Sequence, residues 1–169
     1  AFMYGGDVIG ESDQEIEAIF IRSEADDNER ELPVSVALSG RCNHIEDLLT
    51  DGQEIMVQVS KSPIGTKGAR VTSYISIPGR FLVFMPNSTH IGISRRIEDE
   101  EERGRLKNIV SELRSDPCGY IVRTAAEGVQ QEKLSYEMDF FRNLWNTIQR
   151  KYKHAPAPSL LHQELSVSL

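Results

Sequence analysis

Arg123-Thr124 stands at the end of an apolar run, Gly119 to Val122, and is followed by Ala-Ala-Glu-Gly. An arginine where a strand opens into a glycine-containing loop can face a ligand while its backbone stays fixed. Its guanidinium is planar, permanently charged and able to grip a phosphate through two bonds. The neighbouring hydroxyl adds one more donor. Taken alone, the same residues equally describe an exposed or ion-paired arginine. A second cationic feature is longer. From Lys61 to Arg96 the chain holds Lys61, Lys67, Arg70, Arg80, Arg95 and Arg96 and no Asp or Glu. The chain as a whole has net charge -7. Residues 1–50 carry 3 Lys/Arg against 12 Asp/Glu, residues 51–97 carry 6 against 2, and residues 98–169 carry 10 against 12. A local positive field inside an acidic protein is the electrostatic footprint of a phosphate-bearing partner, although a mixed surface with chance clustering gives the same count.

Other constellations exclude chemistry. Gly65-Thr-Lys-Gly68 has neither the glycine four residues ahead of Gly-Lys nor the Ser/Thr after it that a nucleotide-binding phosphate loop requires, so it reads as a flexible turn presenting Lys67. Arg95-Arg96 either contact a nucleic-acid backbone or pair with the acids from Glu98 to Glu102. That acidic run opens a helix, where it complements the positive end of the helix dipole, with Arg103, Arg105, Lys107 and Arg114 following toward the other end. No pair of carboxylates is spaced to hold a divalent ion for phosphodiester cleavage, and no nucleophile–base pair stands out. His44, His90, His154 and His162 never fall at metal-ligand spacing with each other or with Cys42 and Cys118.

The elements that position these residues follow from periodicity. Glu54–Ser60 alternates as a half-buried strand, Ala69–Ile77 forms a second, and the unbroken apolar run Phe81–Met85 forms a third, buried on both faces. Tight connections between them predict one antiparallel sheet. Residues 45–51 form a short helix. A longer helix begins near Glu98 with Leu106, Ile109, Val110 and Leu113 as its buried stripe. Gly119–Thr124 is a fourth strand. A second long helix, Leu134–Lys153, carries Leu134, Met138, Phe141, Trp145, Ile148 and Tyr152 on one face. Within the acidic residues 10–31, Ile16–Ile21 suggests one short strand or helix before a solvated loop, and the residues around Pro33 suggest an extended piece. The tail after the prolines of HAPAPS reads as the opening of another element. At 169 residues, 39% hydrophobic and 27% charged, the composition is that of an ordinary globular protein. No apolar run approaches the ~20 residues that span a bilayer. There is no basic-then-apolar leader, and two unpatterned cysteines fit a reducing compartment, so a cytoplasmic location is expected.

GTKGARVT, FLVFMPN, GISRRIEDEEERGRLK and GYIVRTAAEGV, in this order and spacing between about Ile45 and Glu164, resemble the ribonuclease E/G family of bacterial endoribonucleases. AFMYGGDVI at the start resembles one strand-and-loop piece of that family's RNA-binding barrel, and residues 10–43 match nothing. In the family, a five-stranded RNA-binding barrel is inserted into a ribonuclease-H-like domain. The resemblance therefore implies an α+β (α/β) chain: a partial OB-type barrel over residues 1–73, with an unmatched acidic insert at 10–43, and a truncated ribonuclease-H-like domain over 74–169. It also implies an internal piece of a longer protein, with sheet and barrel strands expected before Ala1 and a catalytic domain after Leu169.

The same resemblance assigns roles. Arg123 and Thr124 match the pocket for the 5′-monophosphate of RNA, and Gly79 and Val83 match residues whose backbone lines it. Lys67 and Phe2 match a lysine and an aromatic that hold single-stranded RNA on the barrel, where a base stacks beside a cation. Whole members of the family cut single-stranded RNA with Mg2+, process or degrade messenger and ribosomal RNA, and work as homo-oligomers. The metal-binding aspartates belong to the later domain, so this chain is expected to bind and sense RNA without cutting it. The alternative is a non-catalytic interaction module that docks a partner domain through the stripe from Leu134 to Tyr152.

Overall fold

Leu82, Val83, Phe84 and Met85 are all buried, and so are Gly119, Tyr120, Ile121 and Val122. Strands covered on both faces must be the middle of a layered structure, and the fold is organised around them. A computed structural model describes residues 1–3, 8 and 45–163 of the chain. In chain order it comprises α1 (Ile45–Leu48), β1 (Gln58–Lys61), β2 (Arg70–Thr72), β3 (Ile77–Pro78), β4 (Leu82–Met85), β5 (Ile91–Ile93), α2 (Glu100–Leu113), β6 (Gly119–Val122) and α3 (Gln131–His154). The architecture is α+β. One sheet has the order β3-β4-β6-β5, and a separate small sheet pairs β1 with β2.

In the larger sheet β4 is antiparallel to both β3 and β6, while β5 runs parallel to β6. Parallel neighbours need a crossover, and α2 supplies it between β5 and β6. One sheet face presents Leu82, Phe84, Tyr120 and Val122 to Leu106 and Val110 of α2 and to Leu134, Met138 and Phe141 of α3. The rings of Phe84 and Phe141 stack at 5.5 Å and 12°. The other face carries Val83, Met85 and Ile121. Each large side chain so buried stabilises the fold by about 1.5–3 kcal/mol.

Several expectations are corrected. The three successive strands do not make one antiparallel sheet. The stretch 69–77 breaks into β2 and β3, which belong to different sheets. β1 starts at Gln58, not Glu54, and β5 was not foreseen. The fourth strand ends at Val122, and Thr124–Ala126 turns as a short 3-10 helix. α1 is shorter than expected, and α2 begins at Glu100 with Asp99 as its cap, Asp99 Oδ1 accepting from the Glu101 N–H at 2.9 Å. The last turn of α2 itself holds no basic residue, but Arg114 caps it, so the expected dipole complement is met by the acids at one end and the cap at the other. Arg103 turns back instead, donating to the carbonyls of Ser94 and Ile97 at 2.8 and 3.2 Å. The stripe on α3 is this chain's own core: Leu134, Met138, Phe141 and Ile148 are buried. Tyr152 stands outside it, 40% exposed. That burial removes the reading of the stripe as a docking face. Among the described residues there is no closed barrel. The readings of residues 10–43 and of the tail beyond residue 163 lie outside the described residues.

Replacing Phe141, fully buried against Phe84, with alanine is expected to cost about 3–5 kcal/mol of stability. Tyr152→Ala, at a 40% exposed ring, should cost less, about 1 kcal/mol. Urea unfolding followed by Trp145 fluorescence measures both.

Candidate functional site

One end of the larger sheet gathers three segments that are far apart in sequence. β6 ends at Val122, opposite Leu82 at the start of β4. The Ser94 N–H, just past β5, donates to the Val122 carbonyl at 2.8 Å, so the chains leaving β5 and β6 emerge side by side. The rim is built from the turn Gly79–Phe81, the turn Ser94–Arg96 and the residues Arg123–Ala126.

Arg123 is exposed, yet fixed twice to the first of these segments. Its backbone N–H donates to the Phe81 carbonyl at 2.8 Å. Its Nη1 donates to the Gly79 carbonyl at 2.5 Å. A guanidinium has five N–H donors, and among the described residues the remaining side-chain donors of Arg123 bond to nothing else. The neighbouring Thr124 is also exposed, and its carbonyl accepts from the Glu127 N–H at 3.1 Å, closing the 3-10 turn. Ala126 is fully buried beneath that turn and anchors it.

A carboxylate from α2 holds the loop that follows. Glu102 accepts two bonds of 2.6 Å from Arg105, through Nε and Nη2, and one of 2.8 Å from the Gly128 N–H. Arg105 Nη2 also donates to the Val129 carbonyl at 3.1 Å. Gly128 has φ +70°, which a residue with a side chain adopts poorly. The bonds from Arg105, with that from Gly128 assisting and burial opposing, hold the Glu102 carboxyl down to about 2.

The expected site residues fall into two groups. Gly79, Arg123 and Thr124 meet at the rim, and Val83 lies one residue further along β4 than Leu82, its side chain on the sheet face away from α2 and α3. Gly79 is required there: a Cβ would lie 2.5 Å from Glu137 Oε1 and 2.6 Å from Phe141 Cζ. Arg95 and Arg96 join the rim, both exposed. The ion pairs of the acidic turn are made by Arg103 with Glu100 and by Arg105 with Glu102. Among the described residues, neither Arg95 nor Arg96 enters one. Phe2 and Lys67 belong to the small sheet. Phe2 lies beside β2, donating to the Ala69 carbonyl at 2.9 Å and accepting from the Val71 N–H at 3.1 Å. Lys67 is exposed at the tip of the β1–β2 hairpin, where its backbone exchanges bonds of 3.0 and 3.2 Å with Ile64.

Sequence reasoning did not single out Arg80 as a rim residue, although it counted in the cationic stretch. Its guanidinium lies 5.1 Å from the centre of the Phe81 ring. It also missed Glu102 and Glu137 as holders of loops, because their partners lie 26 and up to 57 residues away. Among the described residues no three His, Cys, Asp or Glu side chains are grouped to hold a metal. No helix among the described residues is long and apolar enough to cross a membrane.

A mixed sheet packed on two helices, with exposed arginines at one end, defines an α+β domain. The model of the ribonuclease E/G family matches residues 76–169, more than half of the chain. Ribonuclease G of Salmonella typhimurium (strain SL1344) and ribonuclease G of Escherichia coli (strain K12) are each 44% identical over 124 residues, 73% of this chain and 25% of theirs. Ribonuclease E of Haemophilus influenzae is 43% identical over 137 residues, 80% of this chain and 14% of its own. The chain belongs to the ribonuclease E/G family. It spans a quarter or less of the length of these relatives.

The lowered pKa of Glu102 fixes a sign. A carboxylate depressed on folding contributes stability above its ordinary pKa and loses it as pH falls. The contribution of Glu102 is therefore expected to be complete above pH 4.5 and to disappear as the pH falls toward 2. Glu102→Gln should flatten the pH dependence of stability in that window, as measured by acid unfolding.

Proposed function

We propose that this chain is the RNA-binding and 5′-monophosphate-sensing portion of a ribonuclease E/G-type endoribonuclease. The observation that carries the reading is the rim: Arg123 is anchored through one side-chain nitrogen to Gly79, and its other donors and the Thr124 hydroxyl stay exposed. A terminal phosphate offers several charged acceptor oxygens, and charge-assisted bonds to guanidinium favour it strongly over a neutral 5′-hydroxyl. Val83 lines the same pocket through its backbone. Arg95 and Arg96 take the RNA backbone leaving the pocket. Lys67 and Phe2 hold single-stranded RNA on the small sheet, which serves as part of an OB-type barrel over residues 1–73. The larger sheet and its helices serve as a ribonuclease-H-like domain over residues 74–169. Mg2+-dependent cleavage of single-stranded RNA in RNA processing and decay, homo-oligomerisation and a cytoplasmic location are assigned to the whole protein. No cleavage is assigned to the residues described here.

The test is binding of one short single-stranded RNA carrying either a 5′-monophosphate or a 5′-hydroxyl, at two salt concentrations. A preference for the monophosphate is expected, and Arg123→Ala should reduce it about ten- to a hundredfold, the value of one to two charge-assisted bonds. Equal binding of the two RNAs by the unaltered chain, with a steep salt slope, would reduce the site to a general cationic surface. Lys67→Ala is expected to weaken both RNAs alike and to lower the salt slope by about 1, with no change in 5′-end preference.

A further inference from the structure

The four-residue turn Gly79–Leu82, with Arg80 and Phe81 at its centre, joins β3 to β4. In such a hairpin the residues flanking the turn normally exchange both backbone bonds. Here only one is made: the Gly79 N–H donates to the Leu82 carbonyl at 2.8 Å. The Leu82 N–H donates instead to Glu137 Oε2 of α3 at 2.9 Å. The same carboxylate accepts from the Arg80 N–H at 2.6 Å through Oε1, and from the Phe81 N–H at 3.0 and 3.3 Å through Oε2 and Oε1. Three consecutive amides therefore face α3. The carbonyl of Gly79, freed from Leu82, accepts from Arg123 Nη1.

We infer that Glu137 is a positioning residue for 5′-phosphate recognition: by drawing the amides of Arg80, Phe81 and Leu82 to itself, it releases the Gly79 carbonyl to orient the Arg123 guanidinium. This inference rests on the sensing role proposed for Arg123. Glutamine cannot replace glutamate here, because its amide nitrogen is a donor and would oppose a backbone N–H. Aspartate keeps the charge but is one methylene short of the turn.

The test is a double-mutant cycle on the full chain, read as the ratio of affinities for the 5′-monophosphate and 5′-hydroxyl forms of one RNA. Glu137→Gln is expected to lower that ratio about tenfold, the order of one displaced charge-assisted bond, and to leave 5′-hydroxyl RNA binding unchanged. In an Arg123→Ala background the same substitution should lower the ratio no further, because Glu137 acts through Arg123. Trp145 emission and the thermal midpoint, read in parallel, report folding. Three results would overturn the inference. The first is an unchanged ratio in Glu137→Gln. The second is an equal loss for both RNAs with a lowered midpoint, which makes the role structural only. The third is unfolding of both the Gln and the Asp variants. If the unaltered chain shows no preference for the monophosphate, the sensing reading itself falls and the inference falls with it; a preference in the unaltered chain that Glu137→Gln retains defeats the inference alone.

Discussion

The constraint on which the rest depends is the burial of β4 and β6 on both faces. Eight consecutive-strand residues, Leu82–Met85 and Gly119–Val122, leave no face free for water. Such a pair needs helices on one side, which α2 and α3 provide, and its backbone polar groups must be satisfied within the sheet. Leu82 to Met85 pair in register with Val122 to Gly119. That register decides where the strands end, and hence which residues reach the rim. A slip of one residue would exchange the two faces, placing Val83 against α3 and Phe84 away from it. The stacking of Phe84 on Phe141 therefore fixes the position of Arg123 as surely as any bond to Arg123 itself.

Helix side chains complete what the sheet begins. Glu137 binds the turn before β4, Arg103 binds the carbonyls of Ser94 and Ile97 after β5, and Glu102 with Arg105 binds Gly128 and Val129 beyond β6. Each loop at this end of the molecule is tied to a helix by a charged group bonded to backbone atoms. A side-chain charge bonded to the main chain restricts φ and ψ directly, whereas an exposed ion pair between two long side chains restricts little. The loops that present exposed arginines are thus held by residues that are not themselves presented.

What the sequence disclosed follows the range of the interactions involved. The buried strand at 82–85 was legible because an unbroken apolar run needs no partner to be recognised. The long helices were legible from spacing, and Leu134, Met138, Phe141 and Ile148 occupy the core as that spacing requires. Tyr152 has the same spacing but is 40% exposed, its hydroxyl donating to the Glu54 carbonyl at 3.4 Å, so periodicity alone placed it wrongly. β5 was missed because three residues flanked by His90 and Ser94 carry almost no pattern. Its partner, β6, is a parallel strand beyond a whole helix. The break in 69–77 was missed because its apolar residues continue across the change from one sheet to the other. Arg123-Thr124 was singled out from its local setting and the family resemblance, and the structure does put it where a strand gives way to a loop. Glu137 has no such setting: it is one of several charged residues on a helix, and only the fold brings it to residues 80–82.

The electrostatics of the rim follow from these latches. The chain is acidic overall, so exposed arginines would ordinarily find carboxylates. Three carboxylates near the rim are engaged elsewhere: Glu137 faces three amide dipoles, Glu102 faces Arg105 and Gly128, and Glu100 lies 3.5 Å from Arg103. A carboxylate bonded to backbone N–H groups or to an arginine of its own helix is directed away from its other neighbours. Its distance and solvent then screen it from them. Among the described residues, the guanidinium groups of Arg80, Arg95, Arg96 and Arg123 have no acidic side chain bonded to them. Four exposed arginines are thus gathered, in an acidic protein, at the one end of the sheet where three loops converge.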